Sequence, residues 1–389
     1  MDNSAVVVEA VRTVSGKGKP GGQLSNRHGV ELLSSVLIEL MDRAQVDPGA
    51  VDDVIAGCVT QGGEQGGNIA RNAVLAAGFP EHVPGTTVDR QCGSSQQAVH
   101  FAAQGIAAGA YDVVIACGVE LMSRTPMFSQ YAGQDPYGGA LAHRYSPGLI
   151  QQGISAELLA RDYALVRDDL DAYAAESHRR AAEAWRAGAF AREIATIDGA
   201  EVDETVRTET TPERLANLPT SFDDPAAEKR FGPISWAVTA GNSSPLTDGA
   251  AAVLLMSREA AERFGIRPRA VFRSFAVIGD DPVRMLRAVV PATHLALKRV
   301  GMSVADIDIF EVNEAFATVP LVWQRELGVE HAKLNPRGGA IALGHPLGAS
   351  GARLMTTLLH ELEDDDKTLG LQTMCEAGGL ANAMIIERL

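Results

Sequence analysis

Val88-Asp-Arg-Gln-Cys92-Gly-Ser-Ser-Gln-Gln-Ala98 runs directly into Val99, Phe101, Ala102, Ala103, Ile106 and Ala107. Gly93, Ser94 and Ser95 suit a helix start, and the apolar residues after them cover nearly the whole circumference of the helix they predict. A helix apolar all round belongs inside a protein, so the segment predicts a buried helix with a single cysteine at its mouth. Helix-terminal N–H groups and the positive end of the helix dipole favour a thiolate, the reactive form of the residue. Cys92 therefore reads as a nucleophile, against the alternative of a small buried hydrophobe.

Working outward, Thr86 to Asp89 reads as a short strand before this helix and Tyr111 to Gly118 as a buried strand after it. Upstream, Ala5 to Ala10 predicts a strand and Gly29 to Ala44 a helix, with Val30, Leu33, Val36, Leu37, Leu40 and Met41 on one face. Val51 to Val59 predicts a further strand and Gly66 to Ala77 a helix. Strands alternating with helices imply a mostly parallel sheet covered on both faces. The same order returns later in the chain. Asp53-Val-Ile answers Asp308-Ile-Phe, the Cys92 helix answers the one after Gly348-Ala-Ser-Gly, and Ile115-Ala-Cys117 answers Thr373-Met-Cys375, all at offsets of about 255 residues. The chain is thus expected to be a duplicated α/β domain whose two helix mouths meet at a shared centre.

Between the halves, from about Met122 to Ser243, the sequence changes character. Tyr131 to Pro147 is loop-like and rich in Gly, Pro and Tyr. An amphipathic helix follows from about Asp169 to Ala187, with Gly188 where a helix stop belongs. This segment reads as a lid or binding subdomain inserted in the first half, which resumes at Asp248-Gly-Ala-Ala-Ala-Val-Leu-Leu.

The 389 residues suit two or three domains, and 46% apolar with 21% charged content is ordinary for a globular protein. Only 5% of residues are aromatic, so Ala, Val, Leu and Ile must build the core. With 34 Lys+Arg against 49 Asp+Glu the net charge is −15, which argues against nucleic acid or an anionic membrane as the main partner. Met1 to Ala10 has no basic region of the kind that opens a secretory signal, and no apolar run is long enough to cross a bilayer. Cys58, Cys92, Cys117 and Cys375 form no close pair, so neither a zinc site nor a disulfide framework is expected, and a cytoplasmic location is.

Three motifs gather chemistry at predicted strand ends in the second half: Asn313-Glu-Ala-Phe-Ala317, Gly338-Gly-Ala-Ile-Ala-Leu-Gly-His345-Pro-Leu-Gly-Ala-Ser-Gly351, and Met374-Cys375-Glu-Ala-Gly-Gly379. Glycines flanking His345 and following Cys375 let backbone approach a ligand closely. Alone, His345 could be a satisfied core histidine; with Asn313, Cys375 and Cys92 at equivalent sheet ends, a shared active site is the better reading.

Taken together, these stretches resemble the thiolase family along essentially the whole chain. Asp89-Arg-Gln-Cys92-Gly-Ser, Gly118-Val-Glu-Leu-Met-Ser123, Thr239-Ala-Gly-Asn-Ser-Ser244 with Asp248-Gly-Ala-Ala-Ala, Asn313-Glu-Ala-Phe-Ala, Gly344-His345-Pro-Leu-Gly and Cys375 carry the resemblance by their order and spacing. It implies a five-layered αβαβα fold of two duplicated α/β domains with an inserted loop domain. The expected division is 1–121 plus 244–268, 122–243 as the coenzyme A-binding loop domain, and 269–389. It also implies a homodimer or homotetramer and a CoA-dependent acyltransferase with no tightly bound cofactor, coenzyme A or acyl-CoA being substrate.

The roles implied are Cys92 as acylated nucleophile, His345 as the base that takes its proton, and Cys375 as acid and base in the second half-reaction. Asn313, through a water, and His345 would form one set of oxyanion donors, and the backbone N–H groups of Cys92 and Ala377 another. Ala377 stands where the family usually has glycine. Gln151-Gln152 replaces the His-Met common in short-chain biosynthetic members, which leaves substrate identity open. Arg207 and Arg214 match family positions near the adenine and phosphate end of coenzyme A, Leu218 and Phe222 the wall of the pantetheine tunnel, and Ser244, Ala315 and Phe316 its arm and mouth. The competing readings are a ketoacyl-synthase-like condensing enzyme, against which Cys375 speaks, and a non-catalytic acyl-CoA or lipid carrier.

Overall fold

Strand side chains alternate between two apolar surroundings, and that alternation sets the layering. The computed structural model describes residues 4–197 and 199–389. The first half contains β1 (Ala5–Arg12), β2 (Gly16–Lys17), α1 (Gly29–Ala44), β3 (Asp53–Gly57), α2 (Ile69–Ala76), β4 (Thr86–Val88), α3 (Ser94–Ala107) and β5 (Val113–Leu121). The insertion carries α4 (Gly138–Arg144), α5 (Gln152–Asp162), α6 (Arg167–Arg186), α7 (Pro212–Leu215) and α8 (Pro225–Phe231), and the half resumes with β6 (Thr247–Ser257) and α9 (Arg258–Phe264). The second half contains β7 (Ala270–Gly279), α10 (Val289–Arg299), β8 (Ile309–Val312), α11 (Thr318–Leu327), α12 (Ala340–Leu343), α13 (Ser350–Asp364), β9 (Leu369–Glu376) and β10 (Leu380–Arg388).

Val6, Val8, Val54, Val113 and Ile115 face outward onto Leu32, Val36 and Leu40 of α1 and Ile69 and Val74 of α2. Their neighbours Val7, Ile55, Val114 and Ala116 face the other way, onto Val99 and Ala102 of α3 and Met355 and Leu359 of α13. In the second half Met384 and Ile386 share that middle layer. Ala383 and Ile385 face out onto α10 and α11, where Trp323 packs on Phe310. The result is helix, sheet, helix pair, sheet, helix: the expected five layers.

The strand order β4-β3-β5-β6-β1-β7-β10-β9-β8 makes the duplication explicit. β3, β5, β6 and β1 stand in the first half as β8, β9, β10 and β7 stand in the second. The halves join where β1 and β7 pair antiparallel, through Val6 with Val271 and Val7 with Ala270.

Four expectations need correction. The sheet is mixed, not mostly parallel: β3 runs parallel to β4 and β5, and β8 to β9, while β6 and β10 lie antiparallel to both neighbours. A three-residue connection from Glu376 to Leu380 can only join antiparallel strands. The Cys92 helix is not buried all round, since Phe101 is 41% exposed. Tyr131 to Pro147 is not wholly loop, because α4 forms inside it. The long helix of the insertion starts at Arg167, and its side chains Leu170, Tyr173, Ala174 and Ala181 are buried as expected, with Gly188 left-handed just beyond it. The fourth correction concerns the charge state of Cys92, below.

Candidate active site

Cys92 sits in a tight turn that precedes α3, with Gly93 as the capping residue. Gln91 takes a left-handed conformation, its N–H donating to Asp89 Oδ1 at 2.7 Å. The next N–H groups, of Gly93 and Ser94, donate to the carbonyls of Arg90 and Gln91. The cysteine is 5% exposed and packs on Leu347, Leu354 and Met374 from the second half. Burial, reinforced by Glu376, pushes its thiol up to about 12, while the Gln152 amide pulls the other way. This runs against the sequence reading, in which the helix mouth favours a thiolate: two of the N–H groups are already bonded, and desolvation outweighs the rest. Such a thiol needs a base.

His345 is the candidate. Ser350 Oγ lies 2.6 Å from its Nδ1 and 2.9 Å from the Pro346 carbonyl, and with the hydroxyl proton on that carbonyl it accepts from Nδ1–H. Nε2 is then the unprotonated nitrogen, and the Asn313 amide points at it from 3.4 Å. Burial, with the Arg353 charge nearby, lowers the imidazole to about 3, so the resting ring is neutral, and the same burial weakens it as a base. Its backbone N–H donates to Thr247 Oγ1 at 3.0 Å. The left-handed Gly344 beside it has no room for a side chain, whose Cβ would lie 2.7 Å from Thr247 Cγ2.

Cys375 is fully buried near the end of β9, its thiol raised by burial and by the neighbouring Cys92. Asn313 is fixed by its N–H to the Thr373 carbonyl at 3.0 Å, and its side-chain oxygen is buried without a partner among the described residues. Ala377 follows in the β9–β10 turn. It has no positive φ; Gly378 and Gly379 take the left-handed positions, so the alanine is accommodated without strain.

Close backbone packing brings the halves to this centre. A Cβ on Gly348 would lie 2.6 Å from Cys58 Cα, one on Gly118 2.3 Å from the Gly348 carbonyl, and one on Gly351 2.2 Å from the Gln96 nitrogen. Glu120 accepts from the N–H groups of Val59, Thr60 and Gly348 and from the Gln65 amide, at 2.9–3.0 Å. Glu314 likewise accepts from Tyr173, Ser177, Asn335 and Ile341, tying α6 of the insertion to the second half. Sequence reasoning gave no role to Ser350, Thr247, Glu120 or Glu314, though all but Thr247 stand within the quoted motifs.

On the insertion side, Ser244 N–H and Oγ donate to the Ala315 carbonyl at 3.0 and 3.1 Å. Phe222 meets Phe316 edge-on at 5.9 Å, and Leu218 packs against Gly241. Gln151 and Phe222 line an open cleft of about 470 Å³ together with Ile150, Ile154, Arg230 and Phe231. Gln152 instead turns toward Cys92. Arg207 and Arg214 are exposed and outside this group. Arg214 pairs with Glu209 at 3.3 Å. No group of three or more His, Cys, Asp or Glu among the described residues could hold a metal ion, and no described helix is long and apolar enough to cross a membrane.

Two buried cysteines and a buried histidine at the junction of duplicated α/β halves are groups suited to covalent acyl transfer. The model for the thiolase N-terminal domain matches residues 5–259 and that for the C-terminal domain residues 266–388, so the chain belongs to the thiolase family. Among curated proteins it is 47% identical to a steroid 3-ketoacyl-CoA thiolase of Mycobacterium tuberculosis, over 99% of this chain and 94% of that one. It is 45% identical to a 3-ketoacyl-CoA thiolase of Erwinia tasmaniensis over 99% of each. Among solved structures, the acetyl-CoA acetyltransferase of Bacillus anthracis superposes with a TM-score of 0.88 at 36% identity, covering 99% of each chain.

Proposed function

We infer that this protein is a CoA-dependent acyltransferase that cleaves 3-ketoacyl-CoA by thiolysis and runs the reverse Claisen condensation of acetyl-CoA. The observation that carries the reading is that Cys92, buried in the first half, packs on Leu347 and Met374 of the second, which neighbour the buried His345 and Cys375 in the sequence. In thiolysis, His345 Nε2 takes the Cys92 proton as the sulfur attacks the 3-keto carbon. The Cα–Cβ bond breaks, and Cys375 protonates the acetyl-CoA α-carbon that leaves. Cys375, now a thiolate, takes the proton of incoming coenzyme A, whose sulfur attacks the acyl-Cys92 carbonyl; Cys92 departs and regains its proton from His345. Each oxyanion is met by donors placed beforehand: His345 with a water on Asn313, and the N–H groups of Cys92 and Ala377.

Coenzyme A is a substrate here, with its pantetheine arm along Leu218, Phe222, Ser244, Ala315 and Phe316 and its phosphates toward Arg207 and Arg214. Residues 1–121 with 244–268, 122–243 and 269–389 are proposed as the three domains. The protein works in the cytoplasm as a homodimer or homotetramer; the edge strand β4 and the exposed Phe101 support a partner copy.

Because Gln151 lines the cleft and Gln152 replaces the methionine of short-chain members, acyl groups longer than acetoacetyl are accepted. Steady-state thiolysis of acetoacetyl-CoA and of longer 3-ketoacyl-CoA thioesters tests this. Turnover of the longer series is expected, and activity confined to acetoacetyl-CoA contradicts it.

A further inference from the structure

Glu376 takes no part in the reaction above, yet it stands in the reaction centre. It ends β9 next to Cys375 and is 0% exposed. Neither carboxyl oxygen has a hydrogen-bond partner among the described residues. A Cβ on Gly93 would lie 1.9 Å from its Oε1, so the carboxyl presses on the turn that carries Cys92, and glycine at 93 leaves it room. The ionisable groups facing it are Asp89, Arg90 and Cys92 from that turn and Cys375 from its own strand.

A buried carboxylate without donors is costly, and the group neutralises instead. Arg90 favours the ionised form and Asp89 opposes it, but burial is the larger effect and raises the acid well above the carboxylate range. An ionised Glu376 would lie beside two sulfurs that must each carry negative charge during the reaction.

We propose that Glu376 is an acid kept neutral at the reaction centre, so that the one negative charge this enclosure holds at a time falls on the sulfur of Cys92 or Cys375. It acts through the sulfurs and is a positioning residue: no proton leaves it in either half-reaction, since His345 serves Cys92 and Cys375 serves the α-carbon and coenzyme A. The inference rests on Cys92 being the acylated sulfur. It follows that the acid and the two thiols titrate as one coupled set, and that ionising Glu376 holds the thiols back.

The test is the pH dependence of Cys92 alkylation by iodoacetamide in the whole enzyme, mapped to its peptide, in wild type and Glu376→Gln. The amide keeps the shape and removes the charge. At neutral pH, where Glu376 carries no charge, variant and wild type should alkylate at the same rate, and on the alkaline flank, where Glu376 ionises, the variant should be faster by about tenfold with a lowered Cys92 midpoint, the effect of a coupling of one pK unit; a variant faster across the whole range, the mark of a carboxylate ionised throughout, overturns the proposal. A midpoint unmoved or raised overturns the proposal. Should Glu376→Gln not fold, Glu376→Met, neutral and of similar length, carries the same expectation. In wild type alone the profile should be broader than a one-proton curve, and a single-site curve also overturns it. An acetyl group found elsewhere than Cys92 after mixing wild type with acetyl-CoA would overturn the functional reading beneath. Acetylation of Cys92 with an unmoved midpoint sinks only the role of Glu376.

Discussion

Ser350 is placed to set which nitrogen of His345 carries the proton. With its own proton on the Pro346 carbonyl, it accepts from Nδ1 and leaves Nε2 free. Replacing it with alanine leaves a buried N–H unpaired, at a cost of about 1–3 kcal/mol, and lets the imidazole adopt the wrong tautomer. Ser350→Ala should therefore slow acylation of Cys92 by about 5- to 150-fold with KM little changed, and Ser350→Thr should restore part of it. A rate equal to wild type in rapid-mixing acylation would remove Ser350 from the mechanism. The sequence singles out Cys92 and His345 as candidates because each lies in a motif with its glycines. Ser350 stands in the same motif but was read only as part of a helix start, since its role depends on which partner takes its hydroxyl proton. The thiol's charge state was misread for a similar reason: the side chains that bury Cys92, Leu347, Leu354 and Met374, come from the other half of the chain.

At the scale of elements, α3 and α13 start against one another, and their approach is a matter of missing side chains. Ala352 N–H donates to Ser95 Oγ at 2.9 Å, and Gln372 bridges Gln96 and the Gly351 carbonyl. Gly348→Ala would drive a methyl into the backbone at Cys58. Overpacking of this kind typically costs about 1–3 kcal/mol, and here it falls on the turn between His345 and α13. A lowered urea midpoint together with loss of Cys92 acylation is expected; a variant as stable and as reactive as wild type would show that the turn has slack. Periodicity revealed α1 and α6 within two residues at their ends, and the common offset of three landmarks revealed the duplication. The direction of β6 was not legible, because it follows the insertion; that of β10 was available in its three-residue glycine turn, which admits only an antiparallel return, but the strand was not read. Phe101 reads as core by periodicity, yet it faces out from α3 in the single chain.

Over the whole molecule, the two halves share one core. The middle layer takes Val99 and Ile106 from α3, Met355 and Leu362 from α13, and strand residues from both sheets, so neither half can bury its inner face alone. Calorimetry of the full chain should therefore give one cooperative transition, and two well-separated transitions would mean the halves are independent. The same meeting of halves creates the proposed reaction centre, with Cys92 from the first and His345, Cys375 and Asn313 from the second. Its central claim is that Cys92 is the sulfur that carries the acyl group. The most direct measurement is intact-mass analysis after mixing the protein with acetyl-CoA, followed by peptide mapping. One acetyl group per chain on the Cys92 peptide is predicted; an acetyl group on Cys375 with Cys92 unmodified would contradict the account.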